Sequence, residues 1–256
     1  MPGFELALTF VERAKTLQSR DELALLLKEA TLAMGFSYYA LVHHVDLKRA
    51  SPATMRIENY PADWAGYFVE QGLFADDPIH RACLLSSVGF CWAEVPKKIP
   101  MTRRQWSILE TAAGHGLRYG YTVPVNIPGE CSGSCSFAMH GDAEIPPESP
   151  LLAELVGGFA FETARRLRPL RGQPPMTLPQ LTPRQRECLV LAMQGKSDWE
   201  ISRILERSHD TVIQHLEMAR QKFEVQRRLP LAIRALYDGQ ISFIEALEGQ
   251  FPKLWE

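Results

Sequence analysis

No apolar run in this chain of 256 residues approaches the roughly 20 residues that span a bilayer. Nor does the N-terminus carry a basic segment followed by an apolar core. The expectation is a soluble, cytoplasmic chain with no membrane partner. Cysteine is sparse and odd in number, five residues at 83, 91, 131, 135 and 188, which fits a reducing compartment. Cys131 and Cys135, spaced C-x3-C, lack the second pair that a structural metal site needs. Together with His140 they could suggest thiol chemistry. Strand alternation, however, puts both cysteines on one face, the usual place for core cysteines, so neither catalysis nor a metal is expected. Internal repeats and low-complexity tracts are absent as well.

Charge of one sign is also missing overall, with 28 Lys plus Arg against 30 Asp plus Glu. That balance conceals an asymmetry. Residues 1–164 carry 13 basic and 19 acidic side chains, a net −6, whereas 165–180 carry +4 from Arg165, Arg166, Arg168 and Arg171. Residues 181–241 carry a net +2, from 10 basic and 8 acidic side chains. An acidic body joined to a basic C-terminal part fits a sensor attached to a DNA-binding domain. The positive excess is small, so one copy should bind DNA weakly and dimerisation would double its phosphate contacts.

The stretch from Thr182 to Phe223 reads as three short helices with their start signals written out. Thr182-Pro183-Arg184-Gln185 is a capping box with Pro at the first helical position. Gly195-Lys196 breaks the pattern, and Ser197-Asp198-Trp199-Glu200 opens a second helix through about Leu205. A third begins near Ser208 and sets Val212, Leu216, Ala219 and Phe223 on one face. Helices this short bury little alone and must pack as a unit. A helix-turn-helix with a supporting helix does so, and commonly places one helix in a DNA groove. With those four residues inward, Thr211, Ile213, Gln214, Glu217, Met218 and Gln221 face out. Thr211 and Gln214 suit base edges or phosphate, and Lys196, Arg220 and Lys222 suit phosphate. Ser208 stands where helix-start N–H groups can bind a phosphate, and His215 is expected to pack.

The N-terminal part reads as helices flanking a mostly antiparallel sheet. Helices are expected over 4–18, after the Ser19-Arg20-Asp21-Glu22 box with Gly35 as its stop, near 62–71, after Asp77-Pro78, from Thr102 to about His115, and from Ser149 to Leu167. Strands are expected at Tyr38–Val45, Phe90-Cys91-Trp92, Tyr119–Ile127 and Ser132–Met139. The fold class is α+β: an α/β/α sandwich followed by an all-α unit. Domain limits are 1–167 for the sandwich, 168–180 for a Pro-rich extended linker, 181–241 for the helical unit and 242–256 for a tail. Phe243, Ile244, Leu247 and Phe251 of the tail would form an amphipathic helix that packs on its own chain or a dimer partner.

Two sets of residues carry a family resemblance. Leu181-Thr182-Pro183-Arg184 with Leu189, Gly195-Lys196-Ser197 with Glu200-Ile201, and Thr211-Val212 with His215 resemble the DNA-binding module of LuxR-type regulators. Tyr60-Pro61-x-x-Trp64, Asp77-Pro78, Phe90-Cys91-Trp92 and Gly116-Leu117-x-Tyr119-Gly120 resemble, in order, the autoinducer-binding domain of that family. The resemblance implies a ligand-responsive transcription factor that binds an N-acyl-homoserine lactone and, as a homodimer, a palindromic promoter site in double-stranded DNA. RNA polymerase is a further partner, and no cofactor beyond the signal is expected. It further implies that Asp77 accepts from the ligand amide N–H and that the Trp64 indole donates to the lactone carbonyl. Tyr60 and Ser136 would serve the amide carbonyl, and Trp92 would pack on the head group. Leu117 lines the pocket, and Phe68 and Thr122 complete the ligand-binding set.

Taken singly, Trp64 and Trp92 read first as core aromatics, and Asp77 as the cap of the helix begun by Pro78; the ordered set is what favours a ligand. The chain also departs from the family. Phe68 stands where many members have Tyr, and Ala65 where some long-chain 3-oxo responders have Arg. Ile213 and Met218 replace the frequent Lys and Asn of the DNA face, with Asp210 and Glu217 adding repulsion. Phe68 makes the acyl-chain side less polar and Ala65 argues against a 3-oxo contact, whereas Ile213 and Met218 support the alternative of a LuxR-type orphan that answers another small molecule, or one that acts through heterodimers or signal competition with weak DNA binding.

Overall fold

The computed structural model describes residues 2–49, 54–127, 130–167 and 179–248. The chain divides into two compact units, Met1–Arg171 and Gly172–Glu256. Most of the expected linker, and the tail beyond residue 248 including Phe251, lie outside the described residues.

In the first unit α1 (Pro2–Thr16) and α2 (Arg20–Ala33) lead into β1 (Tyr38–His43) and β2 (Arg56–Glu58). Then follow α3 (Ala62–Glu70), α4 (Pro78–Cys83), β3 (Phe90–Cys91), α5 (Val95–Lys98) and α6 (Arg103–Gly114). The unit closes with β4 (Gly120–Val125), β5 (Gly133–Ala138) and α7 (Ser149–Arg166). The capping boxes at Ser19–Glu22 and Thr102–Gln105 both form, each hydroxyl accepting a backbone N–H while the partner side chain receives the cap N–H. Gly35 and Gly116 follow α2 and α6 at positive φ, 87° and 83°, conformations that only glycine adopts without cost.

The five strands are antiparallel in the order β2-β1-β5-β4-β3. Period-two alternation divides the sheet into two different faces. Tyr39, Leu41, Tyr121, Val123, Cys135 and Phe137 join Phe10, Leu23, Leu27, Val156 and Phe161 of α1, α2 and α7 in the largest core. The opposite face presents Ala40, Thr122, Ser134 and Ser136 toward α3, α4 and α6. In the register, Ala40 pairs Ser136 and Ser136 pairs Thr122, so three small or hydroxylated side chains stand in a row across the middle of the sheet. This is the α/β/α sandwich the sequence predicts, and its second face is too polar to be a simple core.

Three expectations need correction. Trp92 is not in a strand: β3 ends at Cys91 and Trp92 begins a 3₁₀ turn that runs into α5, its entry held by the Cys91 N–H donating to Glu94 Oε2 at 3.0 Å. Cys131 precedes β5 and is exposed, while Cys135 is fully buried, so the two are not core neighbours on one face. The edge strand β2 was not expected; its three residues are too few for periodicity to reveal.

The second unit holds α8 (Pro183–Met193), α9 (Asp198–Ile204), α10 (His209–Lys222), α11 (Arg228–Tyr237) and α12 (Phe243–Leu247). Leu189, Ile201, Val212, Leu216, Ala219 and Phe223 form its core, closed by Leu231 and Ala235 of α11. α11 carries no capping side chain at Arg227, which is why its start was not legible. In α12 the buried residue is Ala246, while Phe243 and Ile244 are exposed, so they do not pack on their own unit, and of the two expected coverings a dimer partner is the one left open to them. The helix is held instead by polar contacts: the Arg186 guanidinium meets the Glu245 carboxylate, and Gln194 Nε2 donates to the Glu245 carbonyl at 2.9 Å. Among the described residues no helix is long and apolar enough to cross a membrane.

Candidate functional site

The polar face of the sheet and helices α3, α4 and α6 enclose a cavity of about 80 Å³. Its wall brings together Tyr60, Trp64, Phe68, Asp77, Trp92, Leu117 and Ser136, residues spread over 76 positions of sequence. Trp64 and Phe68 lie one turn apart on α3, with ring centroids 5.6 Å apart. Thr122 is not part of the wall. It is fully buried behind it, accepting from Trp92 Nε1 at 2.9 Å and sharing a 2.8 Å hydrogen bond with Ser136 Oγ. Its role in the geometry is therefore to hold Trp92 and Ser136 in place. The Trp92 N–H is engaged by that bond, so only the indole face is open to the cavity. Gly120 lets that ring approach: a Cβ there would lie 2.4 Å from Trp92 Cε2, well inside van der Waals contact.

Asp77 occupies two roles at once. Its Oδ1 accepts from the Ile79 N–H at 2.8 Å, which caps α4, and its Oδ2 lies 3.5 Å from His80 Nε2. The capping reading and the ligand reading are thus compatible, since only one oxygen caps the helix and Asp77 also lines the cavity. Tyr60 is enclosed and its phenol is held well above its ordinary value, first by burial and then by the Glu58 and Asp77 charges, with a Ser136 hydrogen bond opposing. It stays a neutral donor. The site therefore offers a carboxylate oxygen, neutral hydroxyls at Tyr60 and Ser136, and flat aromatic walls. That set suits a neutral ligand with an amide and an ester-like carbonyl.

Several wall residues were not singled out from sequence. Val42 and His43 of β1, Arg56 and Glu58 of β2, and His80 of α4 also border the cavity. His80 sits one turn beyond Asp77, a spacing that could have flagged it. Behind it, His44 stacks on its ring at 3.8 Å between centroids and shares a 2.9 Å hydrogen bond with Ser134 Oγ. Burial, together with the neighbouring His80 and His43, keeps the His44 imidazole well below its ordinary value. Arg56 and Glu58 form an ion pair through Nε at 2.8 Å and Nη2 at 2.5 Å.

In the second unit α10 buries Val212, Leu216 and Ala219 and leaves Ile213, Gln214, Glu217, Met218 and Gln221 exposed. Thr211 is half-buried, and its hydroxyl shares a 2.7 Å bond with the Ser208 hydroxyl that caps the helix. Ser208 also accepts from the Thr211 N–H at 3.1 Å. Lys196 is exposed in the turn before α9. The other two cations expected to meet phosphate have intrachain partners: Lys222 Nζ donates to the Gln180 carbonyl, and Arg220 Nη1 to the Gln226 carbonyl at 3.4 Å. Gln214 and Lys196 are thus fully presented, while Arg220 and Lys222 would have to exchange a carbonyl for a phosphate.

Comparison with known proteins agrees with both halves. The family described as "Autoinducer binding domain" matches residues 19–164, and "Bacterial regulatory proteins, luxR family" matches 179–235. The quorum sensing-dependent transcriptional regulator RpaR of Rhodopseudomonas palustris is 29% identical over 92% of this chain and 94% of its own. The transcriptional activator LuxR of Aliivibrio fischeri is 26% identical over 91% of this chain and 93% of its own. The crystal structure of Escherichia coli SdiA shares the fold, with a TM-score of 0.60 and 24% identity over 93% of this chain and 99% of that one. RpaR and LuxR are named as transcriptional regulators. The chain pairs a signal-binding domain with a DNA-binding helix-turn-helix, and it belongs to the LuxR family of quorum-sensing transcriptional regulators.

Proposed function

We propose that the signal is an N-acyl-homoserine lactone and that the chain binds a palindromic promoter site as a homodimer, in the cytoplasm. The observation that carries the ligand reading is the convergence of Asp77, Tyr60, Trp64, Trp92 and Ser136 on one cavity. An amide N–H would meet the Asp77 oxygen that does not cap α4. The amide carbonyl would take the Tyr60 and Ser136 hydroxyls, the lactone carbonyl the Trp64 indole N–H, and the lactone ring the Trp92 face. Dimerisation is supported by apolar side chains left outward at helical spacing. Leu151, Leu155 and Phe159 of α7 line up four residues apart, as do Leu229, Ile233 and Tyr237 of α11. A symmetric dimer matches a two-fold symmetric DNA site.

Exposed Ile213 and Met218 favour a second reading with weak DNA binding, since apolar tips touch thymine methyls but cannot bridge to phosphate. Selection from random duplex DNA, with and without lactone, separates the two. Enrichment of an inverted repeat is expected. A single unrepeated half-site would contradict the dimer, and no enriched sequence would favour the second reading.

A further inference from the structure

At about 80 Å³ the cavity is well below the roughly 300–1,000 Å³ of a small-molecule site, so a signal enters only if a wall gives way. The walls differ in how firmly they are held. α4 buries four of its six residues and is capped by Asp77. α6 starts from a capping box and buries Gln105, Ile108 and Ala112. α3 lines the cavity with Trp64, Ala65 and Phe68, yet Trp64 is the single buried residue among its nine. Pro61 at its start supplies no side-chain cap. Gly66 stands mid-helix with nothing within 4 Å of where a Cβ would be, and glycine weakens a helix interior. Elements with so little buried apolar contact open first. We propose that α3 is the door of this cavity, released between fixed points at Asn59 and Asp76 to admit the signal. The inference rests on the reading of the cavity as the signal site and adds the route into it.

The latches are polar and few. His115, at the end of α6, shares a 2.7 Å hydrogen bond between Nδ1 and Asp63 Oδ2 in the first turn of α3. That bond is the leading cause holding the Asp63 carboxyl below its ordinary value, so the carboxylate accepts and Nδ1–H donates. At the far end Lys48 Nζ donates to the Glu70 carbonyl at 2.8 Å, and between them Arg56 Nη2 reaches the Ala65 carbonyl at 3.4 Å. The flanks are fixed separately. Asn59 Oδ1 accepts from the Tyr39 N–H at 2.6 Å, and Arg104 Nε meets Asp76 Oδ2 at 2.6 Å. Inside those points Pro61 and Gly72, the latter at φ 65°, supply the turns where the segment bends. A helix of nine residues is not stable by itself. An opened α3 therefore loses its hydrogen-bonded turns, and its amides exchange with water.

The test uses the full chain, His115→Phe and Lys48→Met, each of which removes one latch and leaves the sequence of α3 untouched. Amide hydrogen exchange is followed first, without ligand. In the parent chain, peptides covering 61–72 should exchange faster than those of α6 and β5. Each variant should speed them by about two- to fivefold, the range open to an exposed polar contact, with β5 unchanged. Stopped-flow tryptophan fluorescence then gives the association and dissociation rates of hexanoyl-homoserine lactone. Both rates should rise by the same factor in each variant, because the free and the bound chain are latched alike, and the dissociation constant should stay as it was. Unchanged exchange over 61–72 in both variants, or a shift in one rate alone, would overturn the inference. A lactone that fails to bind while exchange responds as expected would count against the lactone reading and leave the door standing.

Discussion

Asp77 shows how one side chain carries both architecture and recognition. A carboxylate at a helix start is favoured for its own sake, and here one oxygen caps α4. The two roles separate by substitution. Asp77→Asn keeps an acceptor for the Ile79 N–H, so the ligand-free chain should lose little stability while lactone affinity falls at least tenfold. Asp77→Ala should lose affinity and also about 1 kcal/mol of folding stability, the usual cost of a missing cap. Paired calorimetric and thermal-melt measurements on the two variants check this, and equal lactone affinity in Asp77→Asn and the parent would contradict it. At this scale the sequence was partly legible. Tyr60, Trp64, Asp77 and Trp92 stand in an ordered series, but Thr122 changed meaning only with the register of β4 and β5, and His80 acquired one only with the turn of α4. Thr122 faces the site side of the sheet yet is covered by Trp92, and nothing in its local sequence could say so.

Among the elements, helix starts were more legible than helix ends. Capping boxes are local, and those at Ser19, Thr102, Thr182 and Ser197 all form. Ends in left-handed residues are local too, but two here are not glycine. Glu206 and Glu224 follow α9 and α10 at φ 52° and 54°. At each site the N–H of the next residue reaches back to a carbonyl five residues earlier: Arg207 to Ser202 at 2.9 Å, and Val225 to Arg220 at 3.0 Å. These are Schellman ends, a place where glycine is preferred because a side chain costs about 1 kcal/mol or more in that conformation. Glu206→Gly and Glu224→Gly should therefore each raise the stability of the helical unit by about 1 kcal/mol, seen as a higher melting temperature. A lower melting temperature in both would contradict the assignment. α11 and β2 went unseen because one lacks a capping side chain and the other is three residues long.

For the molecule as a whole, the sensor unit combines an apolar core on one face of its sheet with a cavity lined by ionisable groups on the other. That placement couples folding to pH. The His44 imidazole is depressed below its ordinary value of 6.5, chiefly by burial and then by His80 and His43. In the folded chain it stays neutral as pH falls through 6.5, while the unfolded chain takes up the proton. The unfolded state then binds more protons, so stability falls as pH drops from about 6.5 toward the folded value. Thermal melts between pH 7.5 and about 5.5 should show this loss, and His44→Gln should flatten it. An unchanged slope in His44→Gln would assign the effect elsewhere.

The order of the chain, an acidic sensor followed by a weakly basic helical unit, was readable from charge and capping alone. The cavity was not, because it exists only where β1, β4 and β5 bring residues together across the sheet. The central claim is that this cavity is the receptor site for an acyl-homoserine lactone. The most direct measurement is the melting temperature of the full chain against a panel of acyl- and aroyl-homoserine lactones, repeated in Asp77→Asn and Trp64→Phe. The account predicts a large stabilisation by at least one lactone, as binding to the folded state alone requires, and its loss in both variants. A chain equally stable with and without every lactone would contradict it.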